Sequence, residues 1–122
     1  MNVKLASEVV RHIEQYPQNH CEDHLGEQTE LGTVASVGGY ICLFGGRAKV
    51  KNQAVVIGEI EGEVEQCFIK VTAELLEIPY SVAFRMTILS DEYTALEALR
   101  SVSMGKLPNW RYIWNKRNEL KS

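Results

Sequence analysis

Hydrophobic residues return every three or four positions over the first sixteen residues of the chain. Val3, Ala6, Val10 and Ile13 fall on one stripe with Val9 and Tyr16 beside it, while Lys4, Glu8, Arg11 and Glu14 turn outward. That spacing predicts an amphipathic helix, which Pro17 ends because its ring cannot continue the hydrogen-bond ladder. Residues 18–32 are polar, carry four acids, and are expected to form a surface loop. A helical period returns at 64: Val64, Phe68, Val71 and Leu75 share a stripe, with Cys67 and Leu76 adjoining. Pro79 breaks that helix and suits the start of the next, where its missing N–H is harmless; Val82, Ala83 and Met86 line one face there. Ser90 is placed to cap a further helix, with Asp91 and Glu92 at its positive end. Ala95, Leu96, Leu99 and Val102 supply its buried stripe, and Gly105 suits the position just past its end. Pro108 then separates it from a last segment, Asn109 to Ser122.

Between these helices the pattern is ambiguous. Residues 33–46 hold two glycine pairs, Gly38-Gly39 and Gly45-Gly46. They fit two short strands joined by a glycine turn. They also fit one buried helix whose Ala35, Gly38, Gly39 and Cys42 make a flat face for another backbone. Two adjacent glycines cost such a helix about 2 kcal/mol against alanine, so propensity favours strands. Residues 47–63 alternate: Val50 lies between Lys49 and Lys51, Val55-Val56-Ile57 is β-branched throughout, and Asn52-Gln53 suits a hairpin turn. Glu59, Glu61, Glu63 and Glu65 then alternate with Ile60, Gly62 and Val64, an acidic edge or loop that a basic partner could meet.

Two patches stand out together. One is His12-Ile13-Glu14-x-x-Pro17 followed by Gly32-Thr33-x-Ala35-x-x-Gly38-x-Tyr40-Ile41-x-Leu43; the other is Ala73-Glu74-Leu75-Leu76-x-Ile78-Pro79-x-x-x-Ala83-Phe84. Their order resembles a loose group of small, mostly helical proteins, without an established activity, from bacteriophages and from bacteria such as actinomycetes. The resemblance implies a helix over 33–45 with a small-residue face, against the propensity reading. Members of that group usually carry a cysteine just before the Gly-Thr and another two or three residues beyond it. Leu31, Ala35 and Ser36 stand at those places here, so the resemblance transfers no metal or redox role. The combined expectation is a mainly α single domain over 1–122, a compact bundle of about five helices with a minor β-hairpin or extended loop near 48–60. The alternative is an α+β domain with a small antiparallel meander at 33–60.

Composition narrows the function classes. In 122 residues, 45% hydrophobic and 24% charged, with a formal charge of −3, there is material for one globular core and no strongly basic nucleic-acid coat. No apolar run reaches the roughly 18 residues of a membrane span, and the N-terminus lacks a signal-peptide pattern. Three cysteines, an odd number, fit free thiols in a reducing cytoplasm. His20-Cys21-Glu22-Asp23-His24 is the densest set of metal-ligating types, but no second Cys/His pair stands at zinc-finger distance, so a solvated polar loop is expected and no metal or other cofactor. Acids around Cys21 disfavour its thiolate, and Cys42 and Cys67 sit in apolar patterns, so no catalytic residue is assigned. The glycine pairs match neither the Walker loop nor the dinucleotide fingerprint.

The tail carries the remaining signal. Residues 105–122 hold five cations against Glu119, a local charge of +4, and 109–122 interleaves them with aromatics. Trp110, Arg111, Tyr112, Trp114, Lys116 and Arg117 are therefore the candidate partner-binding residues, with docking of this helix on the core as the plainer reading. The expected function is a non-enzymatic protein-interaction module, in the context the resemblance suggests: a phage or mobile-element accessory protein that binds a bacterial host factor. The alternative is a small-ligand, nucleotide or nucleic-acid binder using the glycine-rich segment and the cationic tail.

Overall fold

A computed structural model describes residues 1–57 and 68–121. The acidic positions Glu59, Glu61, Glu63 and Glu65, together with Val64 and Cys67, lie outside them. The described chain runs α1 (Val3–Gln15), a 3-10 turn (Pro17–Asn19), β1 (Gly26–Thr29), β2 (Gly32–Ala35), α2 (Val37–Phe44), β3 (Ala48–Lys51) and β4 (Ala54–Ile57). It continues with α3 (Phe68–Leu76), α4 (Tyr80–Ile88), α5 (Glu92–Ser103) and α6 (Trp110–Lys121). The fold is mainly α with a small antiparallel sheet.

The described residues form six helices, against an expectation of about five, and the sheet has four strands in the order β2-β1-β4-β3, all antiparallel. It contains the hairpin expected near 48–60 as β3–β4 and agrees with the alternative of a small antiparallel meander, but it begins at 26 instead of 33 and α2 is inserted between its two hairpins. β1 lies inside the segment expected to be loop. Its residues, Gly-Glu-Gln-Thr, show no apolar alternation; backbone pairing with β2 from Gly26↔Ala35 to Thr29↔Gly32 makes the strand. The two hairpins meet at Glu27↔Ala54, reinforced by the Gln28 N–H donating to the Gln53 carbonyl at 2.8 Å. The β3–β4 turn falls at Asn52-Gln53 as expected, both residues with positive φ, 52° and 67°, the conformation a two-residue hairpin turn demands.

The two readings of 33–46 each describe half of it. Thr33 to Ala35 pair as strand, and Ser36 then caps α2, its hydroxyl accepting from the Gly39 N–H at 3.0 Å. Val37 through Cys42 are all buried, so this helix has no polar face to announce it. Its glycines are contact points. A Cβ on Gly39 would lie 1.9 Å from the Leu25 carbonyl oxygen, and one on Gly38 would press on Thr87 and the Phe68 ring. Close backbone approach thus offsets the propensity penalty.

The amphipathic helices pack around α2 as their stripes predict. Ala6, Val9, Val10 and Ile13 of α1 join Val37, Tyr40 and Ile41 of α2, Ala83 and Met86 of α4, and Ala95, Leu99 and Val102 of α5 in one core. Val3 and Tyr16, at the ends of the α1 stripe, stay exposed. Asp91, not Ser90, caps α5, accepting from the Thr94 N–H at 2.9 Å; the Ser90 hydroxyl instead donates back to the Arg85 carbonyl. Gly105 takes the left-handed conformation past the end of α5, with φ 76°.

Gly39→Ala is expected to lower the unfolding free energy by about 3 kcal/mol, since the new methyl meets backbone that cannot move aside. Gly46→Ala, where nothing lies within 4 Å of the added Cβ but φ is +75°, should lose only about 1 kcal/mol from backbone strain. Urea denaturation of the two variants measures the difference.

Candidate functional site

Two regions hold the candidate residues. The first is the loop after the 3-10 turn. Its polar side chains alternate: His20 and Glu22 turn inward, while Asp23 and His24 are exposed and Cys21 is half-buried. His20 Nε2 and Glu22 Oε2 lie 2.6 Å apart with side chains only 5% and 4% exposed. The same Glu22 oxygen accepts from the Val37 N–H at 2.8 Å, at the first turn of α2. The carboxylate therefore meets a helix N-terminus, where backbone donors otherwise lack partners. Among the described residues Glu22 Oε1 has no hydrogen-bond partner although it is buried. Burial pushes the Glu22 pKa above its ordinary value, against the lowering pull of the His20 contact and the Val37 N–H.

The His20 ring also lines a shallow groove of about 430 Å³ between α1 and α5, with Ile13, Pro17, Glu92, Tyr93, Leu96 and Arg100 among its walls. His20, Cys21 and His24, the metal-type cluster of the sequence, do not converge. His24 Nε2 sits 3.3 Å from Glu27 instead, and His20 is held by Glu22. The side chains that do come together are Cys21, Asp23 and Glu92, each offering one ligand atom within 4.8 Å of the others. Glu92 comes from the start of α5, and its carboxylate accepts from the Glu22 N–H at 3.1 Å. Sequence distance hid this partner. Cys42 is buried against Thr72, and burial pushes its thiol up to about 11, which suits a core side chain and not a nucleophile.

The first glycine pair of the glycine-rich segment is packed and capped by the protein itself. Glu22 occupies the Val37 N–H, Ser36 occupies the Gly39 N–H, and the Gly38 and Gly39 faces are packed.

The second region is α6. Asn109 caps it, accepting from the Tyr112 N–H at 3.1 Å. Ile113 is its anchor, 4% exposed in the core. Trp110 packs beside it, half-buried, with the Arg85 guanidinium of α4 4.7 Å from its ring centroid. Arg117 Nε reaches Asp91 Oδ2 at 2.5 Å. Burial alone would raise the Asp91 pKa; the Thr94 backbone and hydroxyl donors and the Arg117 guanidinium outweigh it and hold the carboxyl below its ordinary value. The six tail candidates thus divide. Trp110 and Arg117 fasten the helix, while Arg111, Tyr112, Trp114 and Lys116 are exposed. Tyr112 and Trp114 are each 60% exposed, and Lys116 lies over the Tyr112 ring and 3.4 Å from Glu119.

Compared with known proteins, the chain matches no family model, no curated protein and no solved structure. Among the described residues no helix is long and apolar enough to cross a membrane.

The raised Glu22 pKa fixes a sign. The folded protein holds this proton more tightly than the unfolded chain, so its contribution to stability falls as pH rises from the ordinary value of 4.5 through the raised one. Wild type should therefore lose stability relative to Glu22→Gln as pH climbs through that window, in paired melts of the two proteins. The fastening of α6 is tested separately: Trp110→Ala should cost about 2 kcal/mol, less than a fully buried ring, whereas Trp114→Ala should change stability by under about 0.5 kcal/mol.

Proposed function

We propose that this protein is a non-enzymatic interaction module, a phage or mobile-element accessory protein that works in the bacterial cytoplasm by binding a host protein through the outer surface of α6. The observation that carries the reading is Trp114, a large aromatic left 60% exposed on a helix held by Trp110, Ile113 and Arg117. An indole presented on a rigid helix surrenders little conformational freedom on binding, and tryptophan with arginine dominates interface energetics. Use of the same tail for nucleic acid is less well supported. Lys116 and Arg117 already face Glu119 and Asp91, which interrupts any row of cations that could follow a phosphate backbone. The context, phage or mobile element, rests on the resemblance of the two sequence patches.

Affinity capture from bacterial lysate tests the reading. Trp114→Ala should melt like wild type yet bind its captured partner more weakly by about 2 kcal/mol or more. Retention of the same partner at wild-type strength would remove α6 from the interface.

A further inference from the structure

The side of α6 that carries Trp114 has a charge pattern of its own. Trp110, Trp114, Arg117 and Lys121 follow one another at spacings of four, three and four, so they form one strip along the helix, with Arg111 beside it. The strip is fastened at two points, Trp110 under Arg85 and Arg117 on Asp91. Both partners flank the end of α4, where Leu89 lies one turn beyond Arg85. Trp114 stands between Trp110 and Arg117 on α6, and Leu89 stands between Arg85 and Asp91 just past α4; they are 60% and 67% exposed.

Among the described residues, the cations of these two elements are not all balanced. Arg117 is neutralised by Asp91, but among the described residues Arg85, Arg111 and Lys121 have no carboxylate within ion-pair distance. Among the described residues, three cations without a carboxylate partner thus share these two elements with two exposed apolar side chains. Resting on the reading of α6 as an interaction surface, we infer that the partner presents an acidic peptide segment to the α4–α6 edge. Its apolar side chains cover Trp114 and Leu89, and its carboxylates meet Arg85, Arg111 and Lys121. Single-stranded nucleic acid fits less well. The exposed rings do not form a stacking row, since Tyr112 lies on the opposite side of α6 under Lys116 and Trp110 lies under Arg85.

The test uses the full chain and three labelled probes read by fluorescence anisotropy. They are a short peptide of glutamates with leucines at helical spacing, its glutamine counterpart, and an oligothymidylate. The glutamate peptide should bind, the glutamine peptide about tenfold more weakly, and the double variant Arg111→Glu with Lys121→Glu should lose the preference while melting normally. Equal binding of the two peptides, tighter binding of the oligonucleotide, or no binding of any probe would overturn the inference. The lysate partner separates this from the broader reading. A partner lost by Trp114→Ala but kept by the charge-reversed variant leaves the interaction surface standing and removes the acidic segment. A partner kept by both removes the surface itself.

Discussion

The backbone of α2 must come within van der Waals reach of the chain that precedes the sheet, and most of the architecture depends on that approach. At Gly39 there is no room for a methyl group, because the Leu25 carbonyl occupies its place. With its first six residues buried, α2 satisfies its polar ends internally: Ser36 and Glu22 take the leading N–H groups. From the middle of the helix the Tyr40 hydroxyl reaches the carbonyls of Asn19 and Thr33, at 2.6 and 2.9 Å. The 3-10 turn, β2 and α2 are thereby joined around one phenol. α1, α3 and the sheet close around the same helix.

This arrangement sets the surroundings of a buried carboxylate. Removing Glu22 from water is unfavourable unless donors replace the solvent. One of its oxygens has two partners and the other none among the described residues, so the replacement is half complete. The loop that supplies it also brings Cys21 and Asp23 against the start of α5. A polar seam thus runs from the N-terminus of α2 to the groove between α1 and α5.

What was legible in the sequence follows from which residues have two different sides. α1, α4 and α5 face core on one side and water on the other, so their periods revealed them, as did the β-branched Val55-Val56-Ile57 of β4. α2 lacks such contrast, and its glycines read as turn residues until the backbone they touch is known. β1 failed to register for the opposite reason: it is polar along most of its length and is strand only by virtue of its neighbours. In α6 the reading of a last helix docked on the core holds for Ile113, which is buried, and for half-buried Trp110, but not for exposed Trp114. The pairing of the loop with Glu92, and of Arg117 with Asp91, spans too many residues for any local pattern to expose.

The strand order carries a consequence for how the molecule is made. Both hairpins close over a few residues and need only local encounters, yet the seam between them joins Glu27 to Ala54 across the whole of α2. Local turns form in microseconds, whereas joining distant strands must first overcome loop-closure entropy. The central seam of the sheet thus carries a larger loop-closure cost than either hairpin. On a ribosome that delivers the chain from its N-terminus, β1 would wait with one edge unpaired until β4 emerges, its glutamate, glutamine and threonine guarding that edge against a stray strand.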